Sequence, residues 1–229
     1  MLTEEIKKIF SCARDTRWVL EPEAKRLFSM AGLDVPRFEW AHDQEEAVRF
    51  ARDIGYPLVA KVISPKVIHK SEVRGVEVGV QDAKALSEAF SRLSKIEGCS
   101  GVLVEEMLSG IELIIGAKID HQFGPVILLG IGGTAAEIYH DFSLRMAPLT
   151  PRDIASMVKC LKAHELLEGY RGKDPINLKE VGGILNKFSE LVMALEEEIE
   201  SIDLNPVMCS STRCVVADAR IILKKPRQS

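Results

Sequence analysis

The feature that most restricts the fold is a regular exchange of amphipathic helices for short β-rich runs along almost the whole chain. Pro22 suits the first turn of a helix and Gly32 its end, and 35–40 follows as a short strand. Asp43 can cap a second helix, in which Ala47, Phe50, Ala51 and Ile54 recur at helical spacing. Tyr56-Pro57 breaks it; 58–63 (LVAKVI) then reads as a mostly buried strand and 75–80 as an alternating one. Leu86, Ala89, Phe90 and Leu93 form the inner face of the next helix, before a strand over 102–107. Strands over 112–119 and 125–131 come next, with a glycine turn at Gly130, Gly132 and Gly133. Thr150-Pro151 starts one further helix, and Leu178, Val181, Leu185, Phe188 and Val192 line another. Two final β runs, 199–207 and 213–223, surround a turn at Ser210-Ser211. This alternation with hairpin-like pairs predicts an α/β (α+β) fold with two lobes.

Charge and composition exclude several classes of function. The net charge is -4 and no basic stripe alternates with aromatics, which argues against nucleic acid as a partner, since phosphate neutralisation supplies most of that affinity. The longest apolar stretch, 126–136, is too short for a bilayer and carries three glycines. The first ten residues, MLTEEIKKIF, lack the apolar core of a signal peptide. No membrane association and a cytoplasmic location are therefore expected. The five cysteines are odd in number and form no CxxC pair; Cys209 and Cys214 lack a neighbouring His or Cys to complete a metal site. Reduced cysteines in or near the core are expected.

Three groups of residues offer chemistry. Lys61 interrupts an apolar strand, so it either faces water from a sheet edge or meets an anionic partner. The loop 64–76 (SPKVIHKSEVRGV) carries Lys66, His69, Lys70 and Arg74, cations that can embrace polyphosphate, and no GxxxxGK[ST] loop occurs in the chain. His69 beside these cations is a candidate nucleophile, although a lone histidine is more often structural or merely exposed. Asp203 and Asn205, two apart on one strand, share a face, and Asp218 on the next run can meet them across a hairpin. These oxygens suit Mg²⁺ beside nucleotide phosphates, or else simply cap a turn. Glu105, Glu106 and Glu112 surround a strand crossing, where solvation is the plain explanation. Gly132-Gly133 either lets a ligand approach the backbone or only makes a turn.

Seven blocks then carry a family likeness: EAKRLF at 23–28, IGYPLVAKVISPKVIHKSEV at 54–73, VLVEEML at 102–108, FGPVILLGIGG at 123–133, FSLRMAPL at 142–149, LLEGYRG at 166–172 and IDLNPV at 202–207. In order and spacing the chain resembles the ATP-grasp (beta) subunit of ADP-forming acetate–CoA ligases, relatives of succinyl-CoA synthetase, over roughly 21–223. The resemblance implies an ATP-grasp domain over 21–229, with lobes near 21–108 and 109–229 that clasp ATP, behind an N-terminal helical extension at 1–20. It implies that Lys61 contacts nucleotide phosphates, that Glu105 and the backbone near Met107 meet the adenine, and that Glu112 holds the ribose. Asn205 and Asp218 would hold Mg²⁺. His69 matches a phosphorylated histidine that carries phosphate between the nucleotide and a CoA-binding (alpha) subunit. Lys70, Gly132, Gly133 and Arg145 match positions near a phosphate loop or the subunit contact.

The implied reaction is acyl-CoA + ADP + phosphate ⇌ carboxylate + CoA + ATP, an acid–thiol ligation run by one subunit of a hetero-oligomer. No second domain for CoA is expected within these 229 residues. Two departures from the family pattern stand out. Arg74 occupies a usual glycine position, which costs on the order of 1 kcal/mol if the backbone there needs positive φ. The GGTAAEIY segment differs in its apolar residues. Two rival functions are an ATP-grasp carboxylate–amine ligase, which needs no His69, and a nucleotide-sensing module that transfers nothing.

Overall fold

The computed structural model describes residues 3–67, 69–133, 141–170 and 174–225. It divides into two compact units, one of Pro36–Leu108 and one of Met1–Val35 with Ser109–Ser229.

The Pro36–Leu108 unit is built on an antiparallel sheet of four strands, β2 (Phe38–Ala41), β5 (Gly101–Glu106), β3 (Leu58–Ile63) and β4 (Val76–Val80), in that spatial order. Two helices accompany it, α3 (Gln44–Ile54) and α4 (Ala83–Leu93), each opened by an aspartate that accepts a backbone N–H three residues on, Asp43 from Glu46 and Asp82 from Ala85. Ala41, Leu58, Ala60, Val62, Val80, Val102 and Val104 pack with Ala47, Ala51, Leu86, Phe90 and Leu93. Strand side chains alternate, so Lys61 and Glu105 belong to the face opposite this core. The β3 strand lies between β5 and β4, and all six of its residues are buried. An edge position for Lys61 is thereby overturned: two neighbours take up its strand's hydrogen bonds.

In the other unit the sheet runs β1 (Trp18–Val19), β11 (Ala219–Leu223), β9 (Ile199–Cys209), β6 (Ile111–Asp120), β7 (Gly124–Ile131) and β8 (Phe142–Met146), with β10 (Cys214–Val216) paired to β9. All of these pairings are antiparallel. Leu113, Ile115, Ile127, Leu129, Leu204 and Ile221 face a core filled by α6 (Leu178–Leu195) through Val181, Leu185, Phe188 and Val192. The same core takes Ile6, Ile9 and Phe10 from α1 (Glu4–Ala13), and Ala24, Leu27 and Phe28 from α2 (Glu21–Met30). Further along the chain, α5 (Pro151–Cys160) starts in a capping box, Thr150 and Asp153 each satisfying the other's backbone N–H. The run expected over 213–223 is two strands, because Ala217 and Asp218 leave the ladder to bond back to Pro206. Among the described residues no helix is long and apolar enough to cross a membrane.

Candidate functional site

In the Pro36–Leu108 unit, the register sets Lys61 opposite Leu103 and Val59 opposite Glu105, one diagonal step apart on the same face. Lys61 Nζ lies 2.7 Å from Glu105 Oε1, with the two side chains only 8% and 4% exposed. Such burial of an ammonium is tolerable because the carboxylate compensates it. The pair therefore fixes one positive charge at a defined place on the sheet. Met107, just past the end of β5, is exposed.

The loop after β3 carries His69, which is exposed, and Lys70, which is half-buried. Its ends are tied down. Ser64 is buried and donates its hydroxyl to the Glu97 carbonyl at 2.8 Å, and Lys66 Nζ meets Glu97 Oε1 at 2.6 Å. Val67 enters the core of this unit. At the far end the Gly75 N–H donates to the Lys70 carbonyl at 2.6 Å, and the Val62 N–H to the Gly75 carbonyl at 2.8 Å. A Cβ on Gly75 would come within 2.7 Å of Val62 Cγ1 and 2.9 Å of the Lys70 carbonyl, so only glycine permits this closure. Arg74 adopts φ 51°, the left-handed geometry that its arginine disfavours by about 1–2 kcal/mol. The tethers to Glu97 and to Arg92, which donates to the Arg74 carbonyl, were not legible in the sequence, because those residues lie 18 or more positions away.

The second unit gathers the acids. Asp203 is half-buried and Asn205 exposed, with Leu204 buried between them, so both point away from the core. A bulge follows: three steps along β9, from Leu204 to Val207, match two along β6, from Ile115 to Leu113. That extra residue turns the strand where Asn205 stands. The Asn205 N–H donates to the Asp218 carbonyl at 3.2 Å, which ties the two segments together. Burial raises the pKa of the Asp203 carboxyl; Arg220, 3.9 Å away, opposes this, and the negative charge of Asp218 adds to it. A divalent cation bound by the Asp203 and Asp218 carboxylates and the Asn205 amide would relieve the cost that Asp218 adds to ionising Asp203. These residues fit Mg²⁺ by that chemistry.

Glu112, on β6, is exposed and lies against Gly132: the Gly132 N–H donates to the Glu112 carbonyl at 2.6 Å. A Cβ on Gly132 would sit 2.8 Å from Glu112 Cβ, so the glycine makes this approach possible. Arg145 goes elsewhere. It faces α5, donating to Ser156 Oγ at 2.5 Å and to the Leu144 carbonyl at 2.7 Å. Residues 134–139 of the divergent GGTAAEIY segment, and 171–172 of the LLEGYRG block, lie outside the described residues. Cys209 and Cys214 oppose each other across β9 and β10, both buried, and their mutual hydrogen bond and burial push the Cys209 thiol far up.

This geometry has counterparts among known proteins. The ATP-grasp domain model matches residues 11–223. The chain belongs to the ATP-grasp family. Within that family it is 38% identical over 217 residues to the beta subunit of an ADP-forming acetate–CoA ligase I of Pyrococcus furiosus, covering 91% of this chain and 93% of that one. It is also similar to a dinucleotide-forming acetyl-coenzyme A synthetase of Ca. Korarchaeum cryptofilum in two solved states. One, bound to coenzyme A and Mg-AMPPCP, has its phosphohistidine segment pointing towards the nucleotide-binding site (TM-score 0.84, 38% identity, 95% of this chain and 99% of that one). The other holds a phosphorylated phosphohistidine segment in a site I orientation (TM-score 0.84, 36% identity, with the same coverage). An ATP-grasp fold of mixed helices and antiparallel sheets is thus shared with close relatives.

Proposed function

We propose that this ATP-grasp chain is the nucleotide-binding subunit of an ADP-forming acyl-CoA synthetase and passes phosphate through His69. The observation that carries the reading is the position of His69, exposed on a loop whose two ends are fixed to a rigid sheet. An imidazole so placed is accessible to a phosphoryl donor, and its carrier loop can reorient without unravelling the strands.

In the direction of ATP formation, a terminal phosphate oxygen of ADP attacks phosphorus on phosphorylated His69. The N–P bond breaks as the new O–P bond forms, and the imidazole leaves. Running in reverse, the imidazole nitrogen attacks the γ-phosphorus of ATP and ADP departs. Lys61, held by Glu105, supplies positive charge for the phosphate oxygens. Glu105 and the backbone near Met107 receive the base, while Glu112, supported by Gly132 and Gly133, takes the ribose hydroxyls. Asn205 and Asp218 would hold Mg²⁺, with Asp203 beside them; the ion would supply charge neutralisation for the phosphates. Lys70 stands next to the nucleophile. Arg145 anchors α5 to β8, close in sequence to the outward-facing Phe142, Leu144 and Met146. The acyl and CoA chemistry belongs to a separate alpha subunit, so the working enzyme is a hetero-oligomer.

The test is to incubate the chain with Mg²⁺ and γ-labelled ATP, with and without the alpha subunit. Acid-labile, alkali-stable label on His69, absent from His69→Asn, is the expected result. Intact nucleotide binding with no label under either condition would leave a carboxylate–amine ligase or a nucleotide sensor in its place.

A further inference from the structure

Arg92, the next-to-last residue of α4, reaches across to the base of the His69 loop. Its Nη1 donates to the Arg74 carbonyl at 2.5 Å and its Nη2 to Glu77 Oε2 on β4 at 2.6 Å. One guanidinium thus joins a helix end, a strand and the last residue before the loop closes at Gly75. The carbonyl it grips belongs to the residue held at φ 51°. Strain at Arg74 favours any conformation in which that φ relaxes, and the Arg92 fork opposes the relaxation. On the other side of His69, Val67 is 8% exposed and packs into the core of the unit, a second point of attachment. Between these points the hydrogen bonds include two local turns, Glu72 N–H to the His69 carbonyl and Arg74 N–H to the Ser71 carbonyl.

We infer that Arg92 is a positioning residue that latches the His69 loop through the strained Arg74 carbonyl and so sets how readily His69 leaves this orientation. The inference rests on the phosphohistidine reading of His69. It also accords with a related protein whose phosphohistidine segment is recorded both towards the nucleotide site and in a site I orientation. Strain on one side and a charge-assisted fork on the other oppose each other at the base of the segment.

Amide hydrogen exchange on the full chain tests the latch without nucleotide or second subunit. In Arg92→Ala, the Glu72, Arg74 and Gly75 amides should exchange roughly three- to tenfold faster, with those of α4 and β4 unchanged. Arg92→Lys keeps the charge but loses the fork and should fall between. In single-turnover labelling with Mg²⁺-ATP, Arg92→Ala should change the rate of His69 phosphorylation about threefold or more and leave the half-saturating ATP concentration unaltered. Unchanged exchange, faster exchange spread evenly over α4 and β4, or a labelling change confined to half-saturating ATP would each overturn the latch. A wild-type His69 that never takes label would instead remove the phosphohistidine reading and leave the exchange result standing.

Discussion

Replacing Lys61 by Met removes one charge and keeps most of the side chain's length, so the effect isolates the buried pair. An exposed pair at the same distance contributes about 0–1 kcal/mol. Here the Lys61 and Glu105 side chains are 8% and 4% exposed and the contact is 2.7 Å. Removing the Lys61 ammonium takes a compensating charge from the buried Glu105 carboxylate, which costs up to about 3–5 kcal/mol. Against a typical stability of about 5–15 kcal/mol, that is a large fraction of the whole. The double variant Lys61→Met/Glu105→Leu removes both charges and should recover to within about 1.5 kcal/mol of the parent. Urea unfolding followed by tryptophan fluorescence suits the comparison. Trp40 lies on β2 of the same sheet, paired with Leu103, and Trp18 lies in the other unit. A Trp18→Phe background therefore reports the sheet that holds the pair. Both variants should also lose Mg²⁺-ATP binding by calorimetry, which separates the stability role from the binding role. The reasoning fails if Lys61→Met unfolds within about 1 kcal/mol of the parent, or if the double variant is no more stable than the single one.

Three other outcomes follow from the same geometry. Gly132→Ala places a methyl 2.8 Å from Glu112 Cβ and 3.0 Å from its backbone, and should cost about 1–3 kcal/mol in unfolding and weaken ATP binding; unchanged affinity would detach Glu112 from the nucleotide. Arg74→Gly relieves about 1–2 kcal/mol of left-handed strain and adds about 0.5–1 kcal/mol of unfolded-chain entropy, so a net stabilisation of up to about 1.5 kcal/mol is expected from denaturant midpoints. Burial raises the Asp203 pKa, so the folded state retains a proton that the unfolded chain has released. Stability from this group should therefore fall as pH rises from the ordinary carboxylate range through the raised value, Asp203→Asn should flatten that slope, and Mg²⁺ with ADP should offset it at neutral pH, all read from melting curves.

The parts of the fold legible in the sequence are those written in local pattern. The apolar run LVAKVI is the buried β3, and Asp43 and Thr150 open the helices they mark. What escaped depends on distant pairing. Residues 1–35 join 109–229, because Trp18 and Val19 pair with Ile222 and Ile221, about two hundred residues on, and two residues carry no period of their own. The β8 strand (FSLRM) turns Phe142, Leu144 and Met146 outward and Ser143 inward, the reverse of an ordinary half-buried strand, so its alternation assigns the wrong face to the core. For the site, residue type and spacing pointed to Lys61, His69 and the Asp203–Asn205–Asp218 group. The ion pair with Glu105, the bulge at Asn205 and the contact of Gly132 with Glu112 needed the registers of three strand pairs.

The side chains assigned to the nucleotide and the one assigned to transfer sit on physically different supports. Lys61, Glu105, Glu112 and Asp203 stand on strands whose ladders fix their backbones, and Asn205 stands at the bulge of β9 with its N–H held by the Asp218 carbonyl. His69 stands on a loop held by a handful of separable contacts: the Ser64 hydroxyl, the Val67 side chain, the Gly75 closure and the Arg92 fork. Electrostatic groups act best when they do not move, since reorganising them during the reaction adds to the barrier. A carrier that must serve two sites has the opposite requirement, because every contact that holds it at one site raises the barrier to reaching the other. On the proposed reading, each anchor must be weak enough to break in a turnover, while together they keep His69 aligned between turnovers. Strengthening all of them at once would then raise the stability of this unit and slow the transfer step.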